Sequence, residues 1–222
     1  MYKKVILCLA NSWKRGGSCV AGKVLLNLAI GEWVRPISNR STHEISDPEP
    51  RYQDGTLANV LDLIEVSLRT HTRSLHQTEN HVIDSGQRWR KSGRGTWTQV
   101  QAALDAVPGA LWLNGYSTNA GKNDKVPEDL LAQLGDSLKL LGVPDLTLHV
   151  AHEPGWQGAP GKRKVRGSFT LNGQNYHLAV TDPLVSSIYL QKTDGDYAIG
   201  AATLCISLSE PIDCRALRLG KS

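Results

Sequence analysis

One window of the chain combines positive charges with aromatic rings at close spacing. Residues 87–97 read Gln-Arg-Trp-Arg-Lys-Ser-Gly-Arg-Gly-Thr-Trp, with four cations and two tryptophans. Cations bind phosphates, and an indole ring can stack on any base, so this composition suits nucleic acid. A surface segment whose tryptophans anchor it to the core would have the same composition. Both interpretations stay open, and the candidate contact residues are Arg88, Trp89, Arg90, Lys91 and Arg94.

A second polar and basic stretch follows the first apolar run of the chain. Residues 5–10 are continuously apolar, which predicts a buried strand. The next residues, Asn11 to Gly17, are expected to form a loop. Asn11 and Ser12 can bind a ligand or form a turn, and Lys14 and Arg15 add positive charge. The same residues fit a plain solvated connection between strands.

Two further sets of cations are candidates for phosphate contacts. Arg35 follows Trp33 on a predicted extended segment, where a salt bridge to a nearby carboxylate is the alternative. A basic cluster precedes the Asn172-Gly173 turn signal, and its alternative role is to protect a charged sheet edge from aggregation. The members of this cluster are Lys162, Arg163, Lys164 and Arg166.

An enzyme acting on a nucleotide, or a nucleotide-sensing pocket, is an alternative to a binding module. Six side chains would have to converge for it: Asn11, Ser12, His76, Glu79, Asn80 and Asp182. Each has an ordinary structural use, for example Asp182 before Pro183 as a helix N-cap. Ser12 lacks the Gly-x-Ser-x-Gly context of a hydrolase nucleophile, so acyl transfer is not expected. A non-catalytic protein is therefore favoured.

The metal-ligating residue types do not form a recognisable site. His76 and His81 flank Glu79, but no third ligand follows at a recognisable spacing. The four cysteines contain no CxxC pair, and Cys8 and Cys205 lie in apolar runs, where a thiol is expected to be buried. The sequence therefore predicts no metal and no other cofactor.

Composition limits the class of protein further. The chain has 222 residues, a net charge of +4 and 40% hydrophobic residues, which is ordinary for a globular protein. A modest positive charge fits a nucleic-acid binder without requiring one. No apolar run is long enough to cross a membrane, and no signal peptide is recognisable, so a cytoplasmic protein without membrane contact is expected.

Hydrophobic periodicity predicts a β-rich, then helical, then β-rich chain. Alternating strands occupy residues 1–95, and two helices are expected over 96–144, the second running through Leu138 and Leu141. Residues 145–222 return to β character and contain the Asn172-Gly173 hairpin signal. The expected fold is mainly β (α+β), with a helical insertion between two β domains.

The order of several short motifs resembles the dual OB-containing domain family, found in bacterial defence and conflict gene neighbourhoods. These motifs span nearly the whole chain: Cys8-Leu9-Ala10-Asn11-Ser12, Ala21-Gly22-Lys23, Trp33-Val34-Arg35-Pro36-Ile37-Ser38, Leu61-Asp62, Gln77-Thr78-Glu79-Asn80, Val180-Thr181-Asp182-Pro183 and Cys205-Ile206-Ser207-Leu208-Ser209-Glu210-Pro211. The basic ending, with Arg215 and Arg218, departs from the expected apolar last strand.

This resemblance implies two OB-like β-barrels and binding of nucleic acid, single-stranded or modified and of a type left open. A scaffold that contacts a partner protein encoded nearby is a third interpretation. The first interpretation, a non-catalytic nucleic-acid-binding module of a defence or conflict system, is the one we carry forward.

Overall fold

The computed structural model describes residues 1–14, 17–27, 29–40, 45, 52–155, 160–209 and 217–221, with the backbone alone at 13–14, 17–18 and 217–221. The chain divides into two compact units. The first unit comprises Met1–Leu104 with Gly135–Ser137, and the second comprises Asp105–Leu134 with Leu138–Ser222. The domain boundaries expected at residues 95 and 145 stay a prediction.

A closed β-barrel forms the first unit. Its strands are β1 (Tyr2–Lys14), β2 (Gly17–Leu26), β3 (Ala29–Ile37), β4 (Asp62–His71), β5 (Asn80–Ile83) and β6 (Arg90–Arg94). They follow the order β1-β2-β3-β5-β4, and β4 pairs with β1 to close the barrel. Strands β3 and β5 are parallel, whereas the other pairs are antiparallel. Strand β6 adds to the first half of β4, outside the closed ring.

Strand β1 pairs with both β2 and β4, and its pairing register is irregular near its middle. Its first half pairs with β4 and its second half with β2, and the register shifts between Cys8 and Ala10. Opposite this point Gly22 faces Leu7 so closely that a Cβ atom would clash with the Leu7 carbonyl oxygen. Glycine is thus required where the barrel closes.

The loop expected over residues 11–17 is mostly strand, which corrects the sequence-based prediction. Asn11 pairs with Val20, and pairing continues to Lys14 opposite Gly17, so the two strands form a hairpin. Backbone pairing with β2, which a short sequence window does not show, decides this outcome. Arg15 lies outside the described residues.

The second unit repeats most strand pairings of the first. Its strands are β7 (Lys125–Val126), β8 (Leu138–Glu153), β9 (Lys162–Leu171), β10 (Gln174–Ala179), β11 (Gly195–Leu208) and β12 (Leu217–Lys221). The pairs β8–β9, β9–β10, β8–β11 and β11–β12 correspond to β1–β2, β2–β3, β1–β4 and β4–β5. The predicted Asn172-Gly173 hairpin turn is confirmed, with φ of 50° and 74° at its two residues.

Helices are few and short in the described part of the chain. Helix α1 (Trp97–Ala102) starts at a capping box between Thr96 and Gln99, and α2 (Pro183–Tyr189) starts at Asp182, which caps it as predicted. A 3-10 helix covers Glu128–Gln133. None of the described helices is long and apolar enough to cross a membrane.

The helical insertion is not confirmed. Leu138 and Leu141, predicted to lie on a helix, belong to β8, where Leu138 pairs with Ser207 and Leu141 with Leu204. Their spacing fits a helix, but both side chains are buried in the strand. Tertiary pairing therefore overrides the local helical pattern.

Candidate nucleic-acid interface

Strand β6 places a row of cations at the edge of the first unit's sheet. Arg90 donates to Glu65 on the neighbouring strand β4 at 2.8 Å, and Lys3 contacts the same carboxylate at 2.9 Å. Hydrogen bonds from Arg90 and then Lys3 lower the pKa of Glu65 to about 2. The carboxylate is therefore ionised at neutral pH and shared by two cations.

A buried carboxylate holds the next cation of the strand. Asp62 is fully buried, and it accepts hydrogen bonds from Tyr52 at 2.9 Å and from the Asn59 amide at 3.0 Å. Lys91 lies 2.6 Å from it, and Arg94 lies 4.0 Å away. Burial acts to raise the pKa of Asp62, but the hydrogen bonds from Lys91, Asn59 and Tyr52 outweigh it and lower the pKa. Lys91 is thus held at this carboxylate, whereas Arg94 is held less closely.

Two arginines of this row are the most available to a ligand. Arg94 has 63% of its side chain exposed, and the described carboxylate 4.0 Å from it, Asp62, already holds Lys91. Arg88 is exposed and donates to the Tyr52 carbonyl oxygen at 3.4 Å. Among the residues that the structure describes, cations therefore outnumber the two carboxylates beside them. We call this set the β6 surface: Lys3, Arg88, Arg90, Lys91 and Arg94.

Trp89 is a core residue, which is the alternative to base stacking considered for the tryptophans of this window. Its side chain is 1% exposed, and it packs in the core of the first unit with Ile6, Ile64 and Tyr52. A buried indole has no face available for a base. Trp89 anchors the basic window to the barrel and is left out of the candidate interface.

Arg35 is engaged within the first unit. Its guanidinium lies 3.7 Å from Glu79, and only 12% of the side chain is exposed. Glu79 also accepts hydrogen bonds from the Ser137 amide at 3.2 Å and from the Ser137 hydroxyl. The salt-bridge alternative describes Arg35 better than a phosphate contact does.

In the second unit, the most buried cation of the basic cluster is Arg166. Its guanidinium donates to Glu153 and to Asp124, the latter at 3.2 Å. Burial acts to raise the pKa of Glu153, but hydrogen bonds from Arg166 and Lys164 lower it. Arg166 therefore neutralises two carboxylates in the interior and is not available to a phosphate.

Ion pairs also hold two other members of that cluster. Lys164 lies 2.9 Å from Glu153. Arg163 donates to Asp194 at 2.8 Å and to two carbonyl oxygens, those of Leu190 and Lys192. Lys162 is exposed at the start of β9 and is the best-placed of the four for a ligand.

The side chains of the enzyme alternative are used structurally where their contacts are described. Asn11 donates to the Ala58 carbonyl oxygen at 2.6 Å, and Asn80 donates to Gln77 at 3.1 Å. Asp182 belongs to the second unit, where it accepts from the Val185 amide at 2.9 Å. Ser12 pairs within the β1–β2 hairpin, and His76 is buried.

The cysteines and the other metal-ligating side chains bear on the expectation that the protein holds no metal. Cys8 and Cys205 are buried, as predicted, and Cys19 is partly buried. Cys214 lies outside the described residues. Within the described ranges, no three His, Cys, Asp or Glu side chains are grouped so that they could hold a metal ion.

His71, at the end of β4, and His81, in β5, form a stacked pair. The rings of His71 and His81 are 4.5 Å apart, and the Tyr2 hydroxyl contacts His81 Nδ1. His71 Nε2 lies 2.6 Å from the Thr78 carbonyl oxygen, which can only accept, so this nitrogen carries the hydrogen. Burial, followed by the charge of Lys4 and by His71, lowers the pKa of His81 to about 4.

This depressed pKa predicts loss of stability in mild acid. An unfolded histidine titrates near 6.5. Between about pH 6.5 and 4, residue 81 therefore binds a proton in the unfolded chain but not in the folded protein. Stability should fall as pH decreases through this window, by up to about 3 kcal/mol from His81. Urea titrations from pH 7.5 to 4.5 should show a flatter profile for His81→Leu than for the wild type. Identical slopes would contradict the assignment, and His177, whose pKa burial also lowers, should maintain part of the slope in both proteins.

The pairing order of the first unit defines the class of protein. A closed five-stranded barrel in which β1 pairs with both β2 and β4 is an OB-type barrel. The family model of the dual OB-containing domain matches residues 4–219, nearly the whole chain, and the protein belongs to this family. Comparison with curated proteins and with solved structures gives no match. Membership suggests an OB-type nucleic-acid-binding module.

The sequence analysis missed the acidic partners on strand β4. The alternation of residues 60–68 predicted a strand with Asp62 and Glu65 on its more exposed side, but no cation was assigned to either carboxylate, and Asp62 is instead fully buried. Acids on one strand and cations on a later one are a signal of neighbouring strands. That signal names no specific pair, because many other carboxylates are present.

Proposed function

We propose that this protein is a non-catalytic nucleic-acid-binding module of a bacterial defence or conflict system, and that the β6 surface contacts the phosphate backbone. The observation that carries the proposal is the excess of cations on this edge strand. Arg88 and Arg94 are exposed, and the two carboxylates nearby are already held by Arg90, Lys3 and Lys91. Such an excess attracts a polyanion.

Other candidates from the sequence extend the proposed surface. Lys14 ends β1 at the hairpin that connects it to β2, and Arg15 follows it in the sequence. OB-type barrels commonly contact strands through this hairpin. Lys162 offers an exposed cation in the second unit. The structural use of Asn11, Asn80 and Asp182 favours a binding role over a catalytic one.

Removing the three arginines of the β6 surface should weaken binding without regard to sequence. We expect the combined change of Arg88, Arg90 and Arg94 to Ala to reduce the slope of log K against log salt. The reduction is about 0.7 per lost contact on single strands and about 0.9 on duplex. Fluorescence anisotropy with labelled DNA and RNA, single-stranded and duplex, from about 50 to 200 mM salt measures both effects.

A matched control removes the same charge elsewhere. Arg73, Lys122 and Lys192 are exposed and lie outside the β6 surface, and their combined change to Ala lowers the net charge equally. This variant should keep most of the salt slope. The proposed interface would be contradicted if both variants weakened nucleic-acid binding equally, or if the wild-type affinity did not change with salt concentration.

A further inference from the structure

An exposed tryptophan follows the basic strand β6. Trp97 is 60% exposed and lies three positions after Arg94, the last residue of that strand. Three residues of chain span at most about 11 Å, so the indole lies within reach of the β6 surface. Single exposed apolar side chains are common on proteins. Trp97 differs from such a residue because an exposed arginine lies directly beside it in the chain.

The backbone that carries Trp97 is held on both sides. Before it, the Gly95 amide donates to the Leu61 carbonyl oxygen at 2.7 Å. After it, the buried side chains of Val100 and Ala103 anchor α1 to the first unit. The indole is therefore presented to solvent from a fixed backbone, and less conformational freedom is lost when a ligand contacts it.

Further apolar side chains are exposed in the segment that contacts this backbone. Val60 directly precedes Leu61, which accepts the hydrogen bond from Gly95, and both Val60 and Leu57 are exposed. This part of the unit thus combines apolar surface and an aromatic face with the positive charge of Arg94. A site for phosphates alone would need only the charge.

We propose that Trp97 stacks on an unpaired base, and that Trp97 and the β6 surface together bind a single strand. This inference rests on the proposed function and adds the class of nucleic acid. An indole can stack on any base while neighbouring cations bind the phosphates of the same strand. In a duplex the faces of the bases are covered by stacking, and exposing one costs free energy. The surface should therefore favour single strands.

Strands without bases test this role directly. Fluorescence anisotropy would compare a labelled single strand with a strand of equal length made of abasic nucleotides, which keeps every phosphate, and with a duplex. We expect the wild type to bind the normal strand about five- to a hundredfold more tightly than the abasic one, the factor for one stacked base. Trp97→Ala should bind both strands equally. Its salt slope should stay unchanged, because no phosphate contact is lost.

Two replacements separate stacking from simple apolar contact. Trp97→Phe keeps an aromatic face and should retain most of the preference for the normal strand, whereas Trp97→Leu keeps an apolar side chain without that face and should lose it. Tyr116→Ala is the matched control, because Tyr116 is an exposed aromatic residue of the second unit. It should keep the wild-type preference. Circular dichroism of each variant reports its folding.

The outcomes distinguish this inference from the proposed function. Equal affinity of the wild type for normal and abasic strands would overturn the stacking role, as would tighter binding of duplex than of single strand. An undiminished preference in well-folded Trp97→Ala would overturn it too. In each of these cases the proposed function stands if the arginine changes in the β6 surface still reduce the salt slope. Salt-independent binding of every probe would overturn both.

Discussion

Replacing Trp89 with alanine is expected to destabilise the first unit by about 3 to 5 kcal/mol, the usual cost of removing a buried tryptophan. The indole is 1% exposed and packs among the central residues of the barrel core. Its loss removes a large apolar contact area and leaves a cavity. Urea unfolding followed by circular dichroism measures the free energy of unfolding.

Trp97→Ala is the control for this change. Trp97 begins α1 and is 60% exposed, so its removal should alter stability by about 0.5 kcal/mol or less. If Trp89→Ala kept the wild-type stability and instead lost affinity for single strands, Trp89 would have to be a stacking residue after all. That result would return it to the proposed interface.

Arg166→Ala is expected to destabilise the second unit by a similar amount, about 3 to 5 kcal/mol. The guanidinium lies between Glu153 and Asp124, and all three side chains are largely buried. Without it, two carboxylates remain in the interior with no guanidinium to neutralise them. Thermal unfolding by calorimetry should show the loss as a lower transition temperature.

Lys162→Ala tests whether charge alone explains that loss. Lys162 starts the same strand and is exposed, so its replacement removes one positive charge at a change of about 0.5 kcal/mol or less. Equal destabilisation by both variants would contradict the role given to Arg166. Recovery of stability at pH low enough to protonate the two carboxylates would support it.

Strand pattern and turn chemistry were the most predictable features of the fold. The apolar run at residues 5–10 and the alternation in 60–68 predicted β1 and β4, and Asn172-Gly173 predicted a hairpin. These signals are local, because side-chain alternation and positive φ depend on neighbouring residues. The family resemblance supplied the barrel type, which local patterns did not.

The second predicted helix shows where local patterns are insufficient. Leucines at 130, 131, 134, 138 and 141 have helical spacing, but the chain changes from a 3-10 helix to strand within this stretch. Pairing between β8 and β11 decides the outcome. A partner strand more than fifty positions later in the chain is not visible in a short window.

The sequence also could not show which cations are available to contact a ligand. Arg90 and Arg166 look alike in the sequence, yet one lies on an exposed edge and the other between two buried carboxylates. This difference leaves no contiguous motif, so it could not be predicted from spacing.

The assignment of Gly135–Ser137 to the first unit has a consequence for synthesis on the ribosome. All strands of the first barrel have emerged once Arg94 has left the exit tunnel, so the barrel can begin to form early. Ser137, which donates to Glu79 with both its amide and its hydroxyl, is translated later, after residues 105–134 of the other unit. Until then the buried carboxylate of Glu79 lacks these two donors. A nascent chain stalled before this point should therefore hold a looser, more protease-sensitive barrel than one stalled after it.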